Sequence, residues 1–155
     1  MNIPFSPPDI TEEEIEAVAE VMRSGWITTG PKTKELERKM AEFTHTNRGV
    51  CLNSATSCME MVLRLFEIGP GDEVIVPAYT YTASASVVCH VGATLRLVDV
   101  EKGTFHIDYA AVESMINENT KAIIPVDLGG VMVDYDRIRA IVESKKSLFR
   151  PSSKM

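Results

Sequence analysis

Apolar positions recur along this chain with two different spacings, and the alternation between them predicts its elements. Ile15, Val18, Ala19 and Met22 follow at helical intervals behind Thr11-Glu12-Glu13-Glu14, a capping-box pattern, and Gly25 stops that helix. Leu36, Met40 and Phe43 repeat the spacing from Pro31 to about Thr44, among Lys32, Lys34, Glu35, Glu37, Arg38 and Lys39, so a second helix carries a solvated charged face. Short apolar runs then alternate with helical segments. Strands are expected at Gly49–Leu52, Glu73–Val76, Thr94–Val98 and Ala122–Val126. Helices are expected from Ala55 to about Glu67, after Thr82 to about Val91, behind the cap Asp108 through Ile116, and from about Asp134. In the first of these, Met59, Val62, Leu63 and Phe66 should face the sheet.

Short strands separated by helices make a repeating β-α pattern, which predicts an α/β fold with a mostly parallel sheet covered on both faces. Ligands of such sheets bind outside the carboxyl ends of the strands. Those ends are here Asn53-Ser54, Pro77 to Thr82, Asp99, and Asp127 to Gly130, where the polar residues gather. Three parts are expected: an arm, helix and entrance loop over 1–30, with Pro4, Pro7 and Pro8 holding its start extended; an α/β segment over 31–144; and an exposed basic tail over 145–155.

Composition narrows the classes of partner. With 155 residues, 45% hydrophobic and 25% charged, the chain matches ordinary globular domains. A net charge of -6 gives no electrostatic footprint for nucleic acid or an anionic membrane. Cys51, Cys58 and Cys89 lie in apolar runs without C-x-x-C spacing and read as free thiols of a reducing compartment. His45, His90 and His106 are too scattered for a zinc site. The start lacks a signal-peptide pattern and no apolar run reaches membrane-spanning length, so a cytoplasmic protein is expected.

The candidate chemistry centres on Gly49 to Phe66, where a strand is expected to give way to a helix through Asn53, Ser54, Ala55, Thr56 and Ser57. Backbone N–H groups and hydroxyls at the positive end of a helix dipole suit a phosphate. The Walker spacing and the G-x-G-x-x-G fingerprint are both absent, and plain capping by Ser54 or Asn53 explains the same residues. Gly25-Trp26-Ile27-Thr28-Thr29-Gly30 is a second candidate: its tryptophan either fills a gap between two helices or meets a ligand.

SGWITTGP at Ser24–Pro31, LNSATS at Leu52–Ser57, IGPGDEVIVPAYTYTA at Ile68–Ala83, VGAT followed by VDV at Val91–Val100, and TKAIIPVDLGG at Thr120–Gly130 come in a definite order. In that order they resemble the beginning of a sugar-nucleotide aminotransferase of the DegT/DnrJ/StrS family, over about Phe5 to Ile141. The resemblance implies the aspartate-aminotransferase fold and pyridoxal 5'-phosphate as cofactor. It implies that Ser54, Ala55, Thr56 and Ser57 hold the cofactor phosphate and that Tyr81 lies against its ring. Trp26, Thr28 and Thr29 are implied at the substrate mouth, and a homodimer acting on a nucleotide sugar and an amino-acid donor, with glutamate expected, is implied as well.

Two departures qualify the transfer. Many members have His where this chain has Asp127 and Tyr where it has Gly129, so Asp127 is a substrate candidate by place and not by type. The family's Schiff-base lysine and its pyridine-pairing aspartate follow later than any motif matched here, and Lys154 is not preceded by the strand and aspartate that would mark it. The chain is therefore expected to be an N-terminal segment, inactive alone. A sugar dehydratase of the same fold, with His for the lysine, and a non-catalytic binding or dimerising module stay open as alternatives.

Overall fold

The computed structural model describes residues 3, 4 and 6–152, so Phe5 and Lys154 lie outside the described residues. The chain forms two compact units, divided between Cys51 and Leu52.

The first unit is helical. α1 (Glu12–Ser24) starts at Thr11, whose side chain accepts from the first turn while Glu14 reaches back to the Thr11 N–H at 2.7 Å, and it ends on the left-handed Gly25. The Glu14 carboxyl is held below the ordinary glutamate range, first by the Thr11 hydroxyl and then by its amide. α2 (Pro31–Phe43) opens with proline in its first turn. Gly49 to Leu52 forms no strand, contrary to the alternation. A strand needs a neighbour for its ladder, and here the Cys51 N–H instead donates to the Glu37 carboxylate at 2.9 Å. The Gly49 backbone lies so close to the Glu37 carbonyl oxygen that a Cβ would stand 2.6 Å from it.

The second unit is a three-layered α/β sandwich. β1 (Glu73–Pro77), β2 (Thr94–Val98) and β3 (Thr120–Ile123) form a parallel sheet in the order β2-β1-β3. α3 (Ala55–Leu65) and α4 (Thr82–His90) pack on one face, where Leu63, Val74, Val76, Val87 and Val88 make a dry core with Ile68, Val91 and Ala93. The small residues of α4 allow this close packing. α5 (Tyr109–Met115) and α6 (Tyr135–Ser144) contribute Tyr109, Val112, Ile138 and Ile141 to a second core on the other face, around Ile75 and Val98. Of the four apolar residues expected to face the sheet from α3, Leu63 and, in part, Met59 do so, whereas Val62 and Phe66 are exposed.

The carboxyl-terminal segment is not wholly exposed as its composition implied. A 3₁₀ turn over Lys146–Leu148 leads to Ser152, which is buried and whose single hydroxyl proton is shared between the Glu67 carbonyl and the Asp72 carboxylate, each 2.9 Å from the hydroxyl oxygen. Asp72 also accepts from the Gly69 N–H at 3.0 Å, and Lys121 stands 3.9 Å away.

Candidate functional site

α3 runs through a short turn into β1, and α4 is the crossover from β1 to β2, so both helices point their first turns toward the carboxyl edge of the sheet. Ser54 caps α3: its hydroxyl accepts the Ser57 N–H at 3.1 Å and lies 3.0 Å from the Ser57 hydroxyl. The Cys58 N–H returns to the Ser54 carbonyl at 3.1 Å. Among the described residues, the N–H groups of Ala55 and Thr56 and the Thr56 hydroxyl have no hydrogen-bond partner. The Ser57 hydroxyl keeps its proton free to donate, because it receives a bond from Ser54. Ala55 is exposed, and Thr56 and Ser57 are half-buried. Four donors thus meet water in one turn, at the positive end of an 11-residue helix. That donor set fits a phosphate dianion.

Tyr81 occupies the cap position of α4, and the residue is 82% exposed. The preceding Thr80 is turned inward to the buried Ser84, with hydroxyls 3.1 Å apart, which leaves Tyr81 facing outward. A phenol ring held at the start of a helix beside α3, with one face in solvent, can stack on a flat heteroaromatic group. The sequence therefore brings Ser54, Ala55, Thr56, Ser57 and Tyr81 to one end of one helical layer.

Asp127 also lies at that edge, four residues after β3, but both its carboxylate oxygens are engaged. Oδ1 accepts the Val133 N–H at 2.8 Å and Oδ2 accepts the Tyr135 hydroxyl at 2.9 Å. Burial, and then the neighbouring Asp127, push the Tyr135 phenol above its ordinary range, so it stays a proton donor. Sequence reading did not anticipate these two partners, six and eight residues on. Nor did it anticipate Tyr79 and Phe105, which stack at 5.2 Å with an interplanar angle of 17°.

Trp26, Thr28 and Thr29 belong to the first unit. The indole N–H donates to the Thr29 carbonyl at 3.1 Å and the ring folds over Gly30, where a Cβ would stand 2.2 Å from the indole nitrogen. Trp26 fastens its own loop, and the Thr28 and Thr29 side chains are exposed. Among the described residues there is no cluster of three metal-binding side chains, and no helix is long and apolar enough to cross a membrane.

A model of the DegT/DnrJ/EryC1/StrS aminotransferase family matches residues 8–149. The chain belongs to this family. Among solved structures of the family's fold, Spr1654 of Streptococcus pneumoniae, assigned as a sugar aminotransferase, is 60% identical in its PLP form with a TM-score of 0.95, over 99% of this chain and 39% of that one. DesV of S. venezuelae is 36% identical over 87% of this chain and 36% of its own, with a TM-score of 0.82. NtdA of Bacillus subtilis, solved with bound cofactor PMP, is 33% identical over 93% of this chain and 34% of its own, with a TM-score of 0.84. The chain thus spans well under half the length of these proteins, and its α/β architecture is theirs.

Proposed function

We propose that this chain forms the phosphate-holding and ring-stacking part of a pyridoxal-phosphate-dependent aminotransferase that moves an amino group from an amino acid, with glutamate as donor, to a nucleotide-linked keto sugar. The observation that carries the reading is the first turn of α3, where the Ala55 and Thr56 amides and the Thr56 and Ser57 hydroxyls offer donors that no protein group uses. Family membership and relatives solved in PLP and PMP forms support the owner of that phosphate. In this reading the α3 donors grip the phosphate, Ser54 holds their turn in place, and Tyr81 lies flat on the pyridine ring. Bound there, pyridoxal phosphate supplies the electron sink that transamination needs.

Trp26, Thr28, Thr29 and Asp127 belong by resemblance or place to the substrate side, Trp26 through its loop. A homodimer is expected, and the working location is the cytoplasm. By resemblance the Schiff-base lysine and the aspartate that pairs with the pyridine nitrogen follow later in the polypeptide. The 155-residue chain alone is therefore expected to bind cofactor without turning over.

Titrating the purified chain with pyridoxamine phosphate, with inorganic phosphate as competitor, tests the reading. Thr56→Val and Ser57→Ala each remove one donor to a charged acceptor and should weaken binding about tenfold. Unchanged binding in both variants, or transaminase turnover by the 155-residue chain alone, overturns it.

A further inference from the structure

The loop that leaves β3 turns back on itself through Gly129 at φ 62° and Gly130 at φ 80°, both left-handed, with nothing within 4 Å of the place where either Cβ would stand. Short backbone bonds shape its start: the Gly130 N–H reaches the Asp127 carbonyl at 3.2 Å and the Val131 N–H the Leu128 carbonyl at 3.2 Å. Beyond Val131, among the described residues, the loop's N–H groups at Val133 and Asp134 bond to side chains, and the Asp127 carboxylate is central among these. It takes the Val133 N–H on one oxygen and the Tyr135 hydroxyl on the other, tying the strand end to the first turn of α6. Next to it, the Asp134 N–H donates to the buried Tyr109 hydroxyl at 2.8 Å, and Asp134 itself caps α6 through the Arg137 N–H at 2.9 Å.

This brace has an outer face. Leu128 and Val131, both on the braced loop, line a cleft of about 210 Å³ with Val126, Thr104, Phe105 and His106. The opposite wall is a closed turn. Its Glu101 N–H meets the His106 carbonyl at 2.9 Å, the Thr104 N–H meets the Glu101 carbonyl at 3.0 Å, and Val100 pairs with Ile107. Phe105 is further held by its stack on Tyr79. One wall is closed by its own backbone; the other has short backbone bonds as far as Val131, and from there the Asp127 carboxylate and the Asp134–Tyr109 bond tie it to the rest of the unit. The lining is apolar apart from Thr104 and His106, and the volume is below that of a pocket for a whole drug-sized ligand, so it suits part of a larger molecule.

We propose that Asp127 is a positioning residue for the amino-acceptor substrate. It holds Leu128 and Val131 as one wall of this cleft, which receives an uncharged, apolar edge of the acceptor, and it does not touch the substrate itself. The assignment to an acceptor rests on the aminotransferase reading; the brace does not. One bond to each oxygen from its own loop fixes the orientation of this exposed carboxylate. The tyrosine that completes the brace remains protonated in its half-buried place and so keeps donating.

Three variants separate bracing from contact. Asp127→Asn keeps an oxygen for the Val133 N–H and presents an N–H to the Tyr135 oxygen, so it preserves the brace without the charge. Asp127→Ala removes it, and Tyr135→Phe removes one of its two bonds. In the 155-residue chain, amide exchange at Val133 should accelerate at least about tenfold in Asp127→Ala, stay within about threefold in Asp127→Asn, and fall between these in Tyr135→Phe. In the form of the protein that turns over, Asp127→Ala should raise KM for the keto acceptor about tenfold with kcat within about twofold, and Asp127→Asn should restore it. Unaltered Val133 exchange in Asp127→Ala overturns the brace. Equal KM defects in Asp127→Asn and Asp127→Ala, with Tyr135→Phe like the parent, overturn positioning in favour of direct contact. Failure of the cofactor reading shows separately, as a parent chain that binds no pyridoxamine phosphate while the exchange pattern holds.

Discussion

From residue 52 onward, Val74, Ile75 and Val76 of β1 are wholly buried and each faces a helical layer, whereas in the unit ending at residue 51 α1 has no buried residue and α2 buries only Ala41. Ile15, Val18, Met22, Leu36, Met40 and Phe43 keep close to half or more of their surface in solvent. Yet α1 and α2 are as well defined at their ends as α3 to α6. A capping box, a glycine stop, an N-terminal proline and the ion pairs Arg38–Glu42 and Lys39–Glu35 act within about one turn, while Arg23–Glu16 spans two turns and Lys32–Glu20 links α2 to α1. The contrast separates two meanings of amphipathic periodicity. Local chemistry determines where a helix starts and stops, while the apolar stripe records which face is made for cover and not whether cover is present.

The largest effect expected from this contrast is on the buried strand. Ile75→Ala should cost about 2–5 kcal/mol in urea unfolding followed by circular dichroism, because it removes the side chain from the second core. Val18→Ala on α1, 60% exposed in the parent, should change stability by less than about 0.5 kcal/mol. Equal losses at the two positions would show that the α1 stripe is covered in solution.

Gly30→Ala should come next. The new methyl requires the indole to leave its seat over residue 30, so tryptophan emission should shift and quenching by iodide should increase, with the unfolding of the second unit unchanged. An unaltered spectrum would mean that the loop is not fastened this way.

The smallest effect concerns Glu60 on α3. Arg64 first, and then His90 on α4, hold its carboxyl below the ordinary glutamate range. A group whose folded value is lowered stabilises the fold above its unfolded value, and the contribution fades as pH falls through the folded one. Carbon-detected NMR titration should therefore place the Glu60 midpoint below that of a model glutamate, and Arg64→Gln should bring it upward.

Much of this was legible from one sequence. Thr11, Ser54, Asp108 and Asp134 cap their helices as their residue types require, and Gly25 closes α1, because a cap is decided within three or four residues. β2 spans Thr94–Val98 as read, while β3 is Thr120–Ile123, starting two residues and ending three residues earlier than the apolar run implied, since its register follows β1. Gly49 to Leu52 has a strand's composition, but pairing is a property of two segments and alternation describes only one. The α3 turn was visible as a candidate because its donors are consecutive. The Asp127 brace was not, because its partners Val133 and Tyr135 lie past the glycine turn, outside the motif that ends at Gly130.

Ser152 and Asp72 stand 80 positions apart, and a single hydrogen bond of about 1 kcal/mol is too weak to offset the entropy of closing so long a loop. The contact can therefore form only after the intervening strands have brought the two ends together. It acts as a seal on a finished assembly, and the order of events places it last in folding. Hydrogen exchange near Ser152 should accordingly report completion of the sandwich more faithfully than any signal from its first helices.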